Sequence, residues 1–422
     1  MKIVDRFQVF FINAYWFGLS FMWNSLNAIV IPVIMLGLVS ESVKNTWLGL
    51  IKILGLVIAI LVQPVAGAIS DGWVSKWGRR RPMILIGTIG DVVFLAVLGW
   101  AGGIWGVFIG FMLLQVFSNT AQGPLQGLLP DVVPAEKIGI ASGIKIFTEM
   151  IGLVIGMLAL GMLIPKGTTQ PTMAMLAIII VLVVCALITL IWSREKSTLD
   201  KPKQHINLIE VLRNTLVVWD VKAPKGYWWL LASRFFFVFG LTGVQTFAMY
   251  FIKDKIGADD PVKATTNLMA ALGVFLMLFA VLSGWLGGKV GYIKLLVIAG
   301  LLGIAGSLLL LLAHSPTQLL IYGSMFGAST GIFLAANWSL ANNMAQGEDA
   351  GKLMGLSNLA TAGAPLIAQF LGGPIDLLNS MWPGKWHGYT MMFLLTAFVI
   401  LISTIILVKV PEHRTLTAKS EV

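Results

Sequence analysis

The sequence predicts an all-helical membrane protein, with about twelve transmembrane helices arranged as two pseudo-symmetric six-helix bundles. Three observations predict it. First, 57% of the residues are hydrophobic and 11% are charged, against roughly 25% charged in soluble domains; the mean hydropathy is +0.88. Second, the apolar runs have the length that crosses ~30 Å of hydrocarbon as a helix, and none show the ~10-residue alternation of a membrane strand. Third, the cations cluster at Lys2/Arg6, Gln63–Pro82, Ser193–Gly226 and Lys409–Lys419, whereas Gly99–Gly103 and Pro165–Pro171 have few or none. That asymmetry is the positive-inside bias of a multi-pass protein, and it puts both termini in the cytoplasm. The formal charge of +10 therefore reads as membrane topology, and no nucleic-acid partner is expected.

The first apolar run, Phe7–Leu38, is too long for a signal-peptide core and reads as a retained helix 1. Helix 2 covers Thr46–Ile69, helix 3 starts at Met83, and helix 4 spans Ile104–Leu129 before a turn at Pro130–Lys137. Helices 5 and 6 follow at Ile138–Ile164 and Thr172–Trp192. These six spans, residues 1–192, form the N-terminal bundle. Residues 193–226 break the pattern: they are polar and basic, with Pro202 and Pro224. Within them Leu208, Ile209, Leu212, Leu216 and Trp219 recur at helical spacing opposite Glu210, Arg213 and Asn214, as in a short amphipathic helix on a membrane surface. Helices 7 to 12 are read at Tyr227–Ile252, Val262–Leu286, Lys294–Ala313, Gln318–Leu340, Lys352–Leu378 and Tyr389–Val408. Residues 227–408 thus form the C-terminal bundle, and 409–422 a cytoplasmic tail.

The halves echo each other. LLPDVVPAEKIGIASG (Leu128–Gly143) aligns without a gap on LANNMAQGEDAGKLMG (Leu340–Gly355), so Asp131 falls on Asn343 and Glu136 on Glu348. GWLGGKVGYIK, with Gly284, Gly288, Lys289, Gly291 and Lys294, is a degraded copy of the connection between helices 2 and 3. A six-helix repeat implies a binding site between two related bundles.

The connection Gln63–Pro82, QPVAGAISDGWVSKWGRRRP, concentrates Asp71 with Lys76, Arg79, Arg80 and Arg81. Such a set either forms a latch, in which a carboxylate at a helix end pairs with guanidinium groups in one conformation, or simply sets topology as a positive-inside loop. The loop resembles the signature of the major facilitator superfamily, G-x-x-x-D-(R/K)-x-G-(R/K)-(R/K), carried here by Gly67, Asp71, Gly78, Arg79 and Arg80. SDGWVSKWGRRRP is similar to the loop of the sucrose–proton symporters within the glycoside symporters, and NTAQGPLQGLLPD (Asn119–Asp131) is similar to their helix-4 run. Two departures stand out: Gly72 replaces a basic residue, and Gln126 occupies the position of the helix-4 arginine. Helix 2 offers only Lys52 in place of the intramembrane acids of sodium-using relatives.

The resemblance implies secondary transport. Asn13, Trp16, Ser20, Asn24 and Asn27 recur on one face of helix 1, and Gln115, Asn119, Gln122 and Gln126 on one face of helix 4. Trp23 and Trp338 add flat apolar faces beside these amides, a pairing suited to the hydroxyls and C–H faces of a carbohydrate. The bland alternative is interhelical hydrogen bonding. Gln245, Asn337 and, more weakly, Thr242 and Thr330 are the counterparts in the second half. Glu149 in helix 5 is the candidate proton carrier, since a carboxyl facing a cavity can exchange its proton as its water access changes. Lys145, four residues earlier, offers a static salt bridge instead. Arg234 pairs with Glu149, binds an anionic substrate, or snorkels to the interface. Asp131 serves a cytoplasmic gate together with Gly67, Asp71, Gly78, Arg79, Arg80 and Arg81, while Asp91 reads as structural.

The Gly152/Gly156 pair permits close helix approach. Cys185 reads as packing, and His205, His314, His387 and His413 have no metal-ligand spacing. No phosphate-binding loop, nucleophile elbow or zinc motif is present, so no enzyme activity and no cofactor are expected. The expectation is a monomeric plasma-membrane symporter that takes up a sugar-like solute with protons. The rival expectations are an exporter of a lipophilic or cationic compound and a non-transporting assembly scaffold.

Overall fold

The computed structural model describes residues 6–100, 102–200, 202, 207–216, 223–345 and 350–411, and every regular element among them is helical. The chain divides into two compact units. The first comprises Met1–Val217 with Asp260–Ala270, and the second Val218–Asp259 with Ala271–Val422. Lys2, His205, Trp219, Glu348, His413 and the tail from residue 412 lie outside the described residues.

Eleven of the described helices are long and apolar enough to cross a membrane. In the first unit these are α1 (Gln8–Leu38), α2 (Lys44–Asp71), α3 (Arg81–Trp100), α4 (Gly103–Val132), α5 (Ile138–Leu163) and α6 (Thr172–Trp192). They continue as α7 (Tyr227–Ile256), α8 (Pro261–Val290), α9 (Tyr292–Leu311) and α10 (Pro316–Met344). The next helix, α11, comes in three pieces: Ala350–Ala368, a tight turn Gln369–Leu371, and Gly372–Met381. It completes the set of twelve with α12 (His387–Lys409). Polar and small residues such as Ser357, Asn358, Thr361 and Gly363 lower the hydropathy of α11, which is why this helix alone falls short by composition.

Three boundaries differ from the sequence reading, each for a physical reason. Asp71 is the last residue of α2 rather than part of the following loop. Pro130 does not open a turn, because α4 runs through Pro124 and Pro130 to Val132. Proline forfeits one N–H bond inside a helix but does not end it when the surrounding bundle supports the chain. The Lys352–Leu378 span is interrupted at Gln369–Leu371. Two wide turns were also invisible in the apolar pattern: α1 contains a π turn at Leu26–Val30, and α7 one at Ile252–Ile256.

Close backbone approach sets the packing of the first unit. A Cβ on Gly152 of α5 would stand 2.6 Å from the Phe17 carbonyl of α1, and one on Gly156 would stand 3.3 Å from the Phe21 carbonyl. Only small residues allow that approach, and it presses the amide face of α1 against α5. On α4, a Cβ at Gly123 would meet the Gln63 carbonyl of α2 at 2.5 Å. The same device recurs in the second unit, where Gly327 of α10 leaves room for the Leu272 carbonyl of α8.

Candidate functional site

The charged connection between α2 and α3 closes into an ion-paired cluster. Arg79 donates from Nε and Nη2 to the two carboxylate oxygens of Asp131, at 3.0 and 2.5 Å, in a bidentate fork. Arg80 donates from Nε to Asp131 Oδ2 at 2.9 Å and reaches Asp71 Oδ1 with Nη2 at 2.6 Å. Asp71 also lies 3.5 Å from Arg79 Nη1. Hydrogen bonding to Asp131 pushes the Arg79 guanidinium above its ordinary value. The Arg80 side chain is only 7% exposed, against 51% for Asp71 and 22% for Asp131. Gly127 makes that burial possible, because a Cβ there would stand 2.6 Å from the Arg80 guanidinium carbon. Gly67 lies against Gly123 where α2 meets α4.

The linker completes the cluster. Glu195 accepts from the backbone N–H of Arg80 at 3.1 and 3.0 Å, and from that of Arg81 at 2.9 Å, so it caps the first turn of α3. Burial pushes the Glu195 carboxyl up, and the two N–H donors offset only part of the shift. Gly78 adopts φ +91°, and the Glu195 side chain fills the space where its Cβ would stand. Thr198 extends the clamp: it accepts the Ser75 N–H at 2.9 Å on Oγ1 and donates its own N–H to the Ser75 carbonyl at 3.1 Å. Sequence reasoning missed Glu195. The one signal was an acid standing alone beside Arg194 and Lys196 in a basic segment.

A second polar cluster joins α1, α4 and α5. Lys145 Nζ lies 3.6 Å from Glu149 Oε1 and 3.8 Å from the centroid of the Trp16 ring. Ser20 donates to the Glu149 carbonyl at 2.6 Å, and Asn24 donates to the Ser20 carbonyl and hydroxyl at 2.8 and 3.1 Å. Toward α4, the Trp23 indole donates to Ser118 Oγ at 3.0 Å, and Gln122 reaches the same oxygen at 3.3 Å. Asn119 is buried and turns its amide back on Gln115, at 2.8 Å to the carbonyl and 3.1 Å to Oε1. Asn27 sits in the π turn of α1, where its carbonyl accepts from the buried Lys52 at 2.8 Å. Such turns recur at functional sites because they free carbonyl groups. Asn13 is buried and bonds to the Val9 and Ala141 carbonyls. Asp91 is wholly buried in α3, while Gln126 is exposed.

In the second unit, Arg234 of α7 is buried among neutral groups. Its Nε donates to Thr361 Oγ1 at 2.6 Å, its Nη1 donates to Asn337 Oδ1 at 3.1 Å, and its guanidinium lies 4.9 Å from the centroid of the Trp338 ring. Gln245, also on α7, is half-buried. Thr330 bonds back to the Phe326 carbonyl within α10, at 2.9 Å. At the degraded copy of the charged connection, Gly291 with φ +96° separates α8 from α9, and Lys289 lies 3.8 Å over the Trp285 ring. Among the described residues no group of three or more His, Cys, Asp or Glu could hold a metal ion.

The similarities to known proteins run over nearly the whole chain. It is 24% identical over 399 residues to the multidrug resistance protein MdtG of Citrobacter koseri, covering 92% of each. A nucleoside transporter, NupG in a mutant form, superposes with a TM-score of 0.73 at 13% identity, over 95% of this chain and 98% of that one. A D-xylose–proton symporter gives 0.67 at 17% identity, over 96% and 97%. The family model described as the Major Facilitator Superfamily matches residues 10–368 and 235–421. Family match, helix count and neighbouring folds agree: the chain belongs to the Major Facilitator Superfamily and is a multi-pass membrane transporter of that fold.

Proposed function

We propose that the protein is a proton-coupled secondary transporter that takes up a sugar or glycoside by alternating access. In this reading it is a monomer in the plasma membrane, with both termini cytoplasmic. The observation that carries the reading is the Glu149 side chain. Its one described ion pair is the 3.6 Å contact with Lys145, and it remains 25% exposed, so it can gain and lose a proton without unpacking the bundle. Ser20 and Asn24 link the same turn of α5 to the amide face of α1, which gives substrate contact on that face a short route to the carboxyl. The likeness to a D-xylose–proton symporter supports the same class. The latch loop supports the glycoside-symporter group, and it acts here as the cytoplasmic gate.

The similarity to MdtG, whose name denotes multidrug resistance, favours a second reading as an exporter of lipophilic compounds. A thermal-shift screen of the purified protein separates the two, because a ligand that binds only the folded state raises its stability. Mono- or disaccharides are expected to raise Tm, by about 2.7 kcal/mol of added stability at a hundredfold excess over Kd. Stabilisation by lipophilic amines or dyes, with none by saccharides, would transfer the assignment to the exporter.

A further inference from the structure

We propose that the transported substrate carries an oxyanion, a carboxylate in the first instance, which is bound by Arg234 together with the amide N–H of Asn337. This deepens the transport reading above and rests on it. Arg234 is 6% exposed, and a guanidinium keeps its charge in any protein setting. A buried cation is costly unless an opposite charge accompanies it. The contrast within this chain is direct: the buried Arg80 is paired with both Asp71 and Asp131, whereas among the described residues no carboxylate lies within ion-pairing distance of Arg234. Its partners are a hydroxyl, an amide oxygen and an indole face. None of them supplies a negative charge.

The second observation is independent. Asn337 is 1% exposed, and its Nδ2 has no acceptor. Its orientation is fixed, because Oδ1 is taken by Arg234 Nη1, so the group left over is a donor. Thr361 cannot relieve the shortage, since it donates its own proton to the Ser357 carbonyl at 2.8 Å. The site therefore holds a full positive charge and a spare buried N–H donor side by side, and it lacks acceptors. An oxyanion with two oxygens satisfies both at once. Snorkelling does not explain the arrangement, because the guanidinium is buried and hydrogen-bonded to side chains of α10 and α11.

Two matched pairs of ligands test this on the full-length protein in detergent at neutral pH: D-glucuronate with D-glucose, and benzoate with benzyl alcohol. In at least one pair the acid is expected to bind about tenfold tighter than its neutral partner, the worth of a hydrogen bond to a charged group. Arg234→Gln is expected to erase that preference. Asn337→Asp places a carboxylate beside Arg234 from within the chain, so it is expected to raise Tm without ligand and also to erase the preference. Its higher Tm guards against reading a misfolded Arg234→Gln variant as a positive result. Measurable binding of the sugar pair with no preference for the acid in either pair would overturn the oxyanion site and leave sugar transport standing. An Arg234-dependent preference seen only in the aryl pair would keep the oxyanion site and remove the sugar reading. A preference that survives both substitutions, or no binding by any of the four, would overturn the proposal.

Discussion

Glu149→Gln is expected to abolish substrate-driven proton movement while sparing exchange of substrate across the membrane. Glutamine keeps the volume of the side chain and its hydrogen-bonding capacity, but it cannot cycle a proton. The Ser20 bond to α5 uses the backbone carbonyl of residue 149, so it survives the substitution. The close α1–α5 packing at Gly152 and Gly156 also survives. What changes is the charge beside Lys145, which keeps its place over the Trp16 ring. Counterflow of labelled substrate in proteoliposomes is then expected to stay within a few-fold of the parent protein, and net uptake driven by a pH gradient is expected to vanish. Net coupled uptake retained in the variant would remove Glu149 from the mechanism and leave it as a static partner of Lys145.

The largest expected effect on stability comes from Asp131→Asn. Asp131 accepts from both Arg79 and Arg80 and is the better-buried acid of the latch. Without its charge, the buried Arg80 guanidinium is left with the half-exposed Asp71 as its counter-ion. Breaking a buried pair by removing one partner costs about 3–5 kcal/mol, and the partial exposure of Asp131 lowers the expectation here to about 2–3 kcal/mol. Asp71→Asn removes a pair that water already screens and is expected to cost about 1 kcal/mol or less. Thermal unfolding in detergent checks the order: the Asp131 variant should melt well below the Asp71 variant. The reverse order would mean that the latch is organised around the end of α2 instead of the end of α4.

Much of the fold was legible because a membrane helix announces itself by length and apolarity alone. Its ends were harder to place. Asp71 reads as a loop residue by charge, yet the helix carries it to its last position because Arg79 and Arg80 meet it there. Pro130 reads as a turn by residue type, yet the helix continues past it and aims Asp131 at the arginines. The π turns of α1 and α7 depend on backbone bonds that no residue pattern fixes. At the latch, the signature residues Gly67, Asp71, Gly78, Arg79 and Arg80 were readable as a string, but the roles of Gly127 and Glu195 were not. Each of those roles is a contact with Arg80 made across a long stretch of chain. Arg234 was visible as a charge in an apolar run; its neutral surroundings come from α10 and α11 and exist only once the second unit has folded.

The most direct measurement of coupled uptake is pH-gradient-driven accumulation of a saccharide that stabilises the protein, made in proteoliposomes holding the unaltered chain. Concentrative uptake is predicted when the outside is acidic, matched by alkalinisation of the medium when substrate is added to vesicles without a gradient. Substrate movement that equilibrates without accumulating and leaves the external pH unchanged would contradict proton-coupled transport.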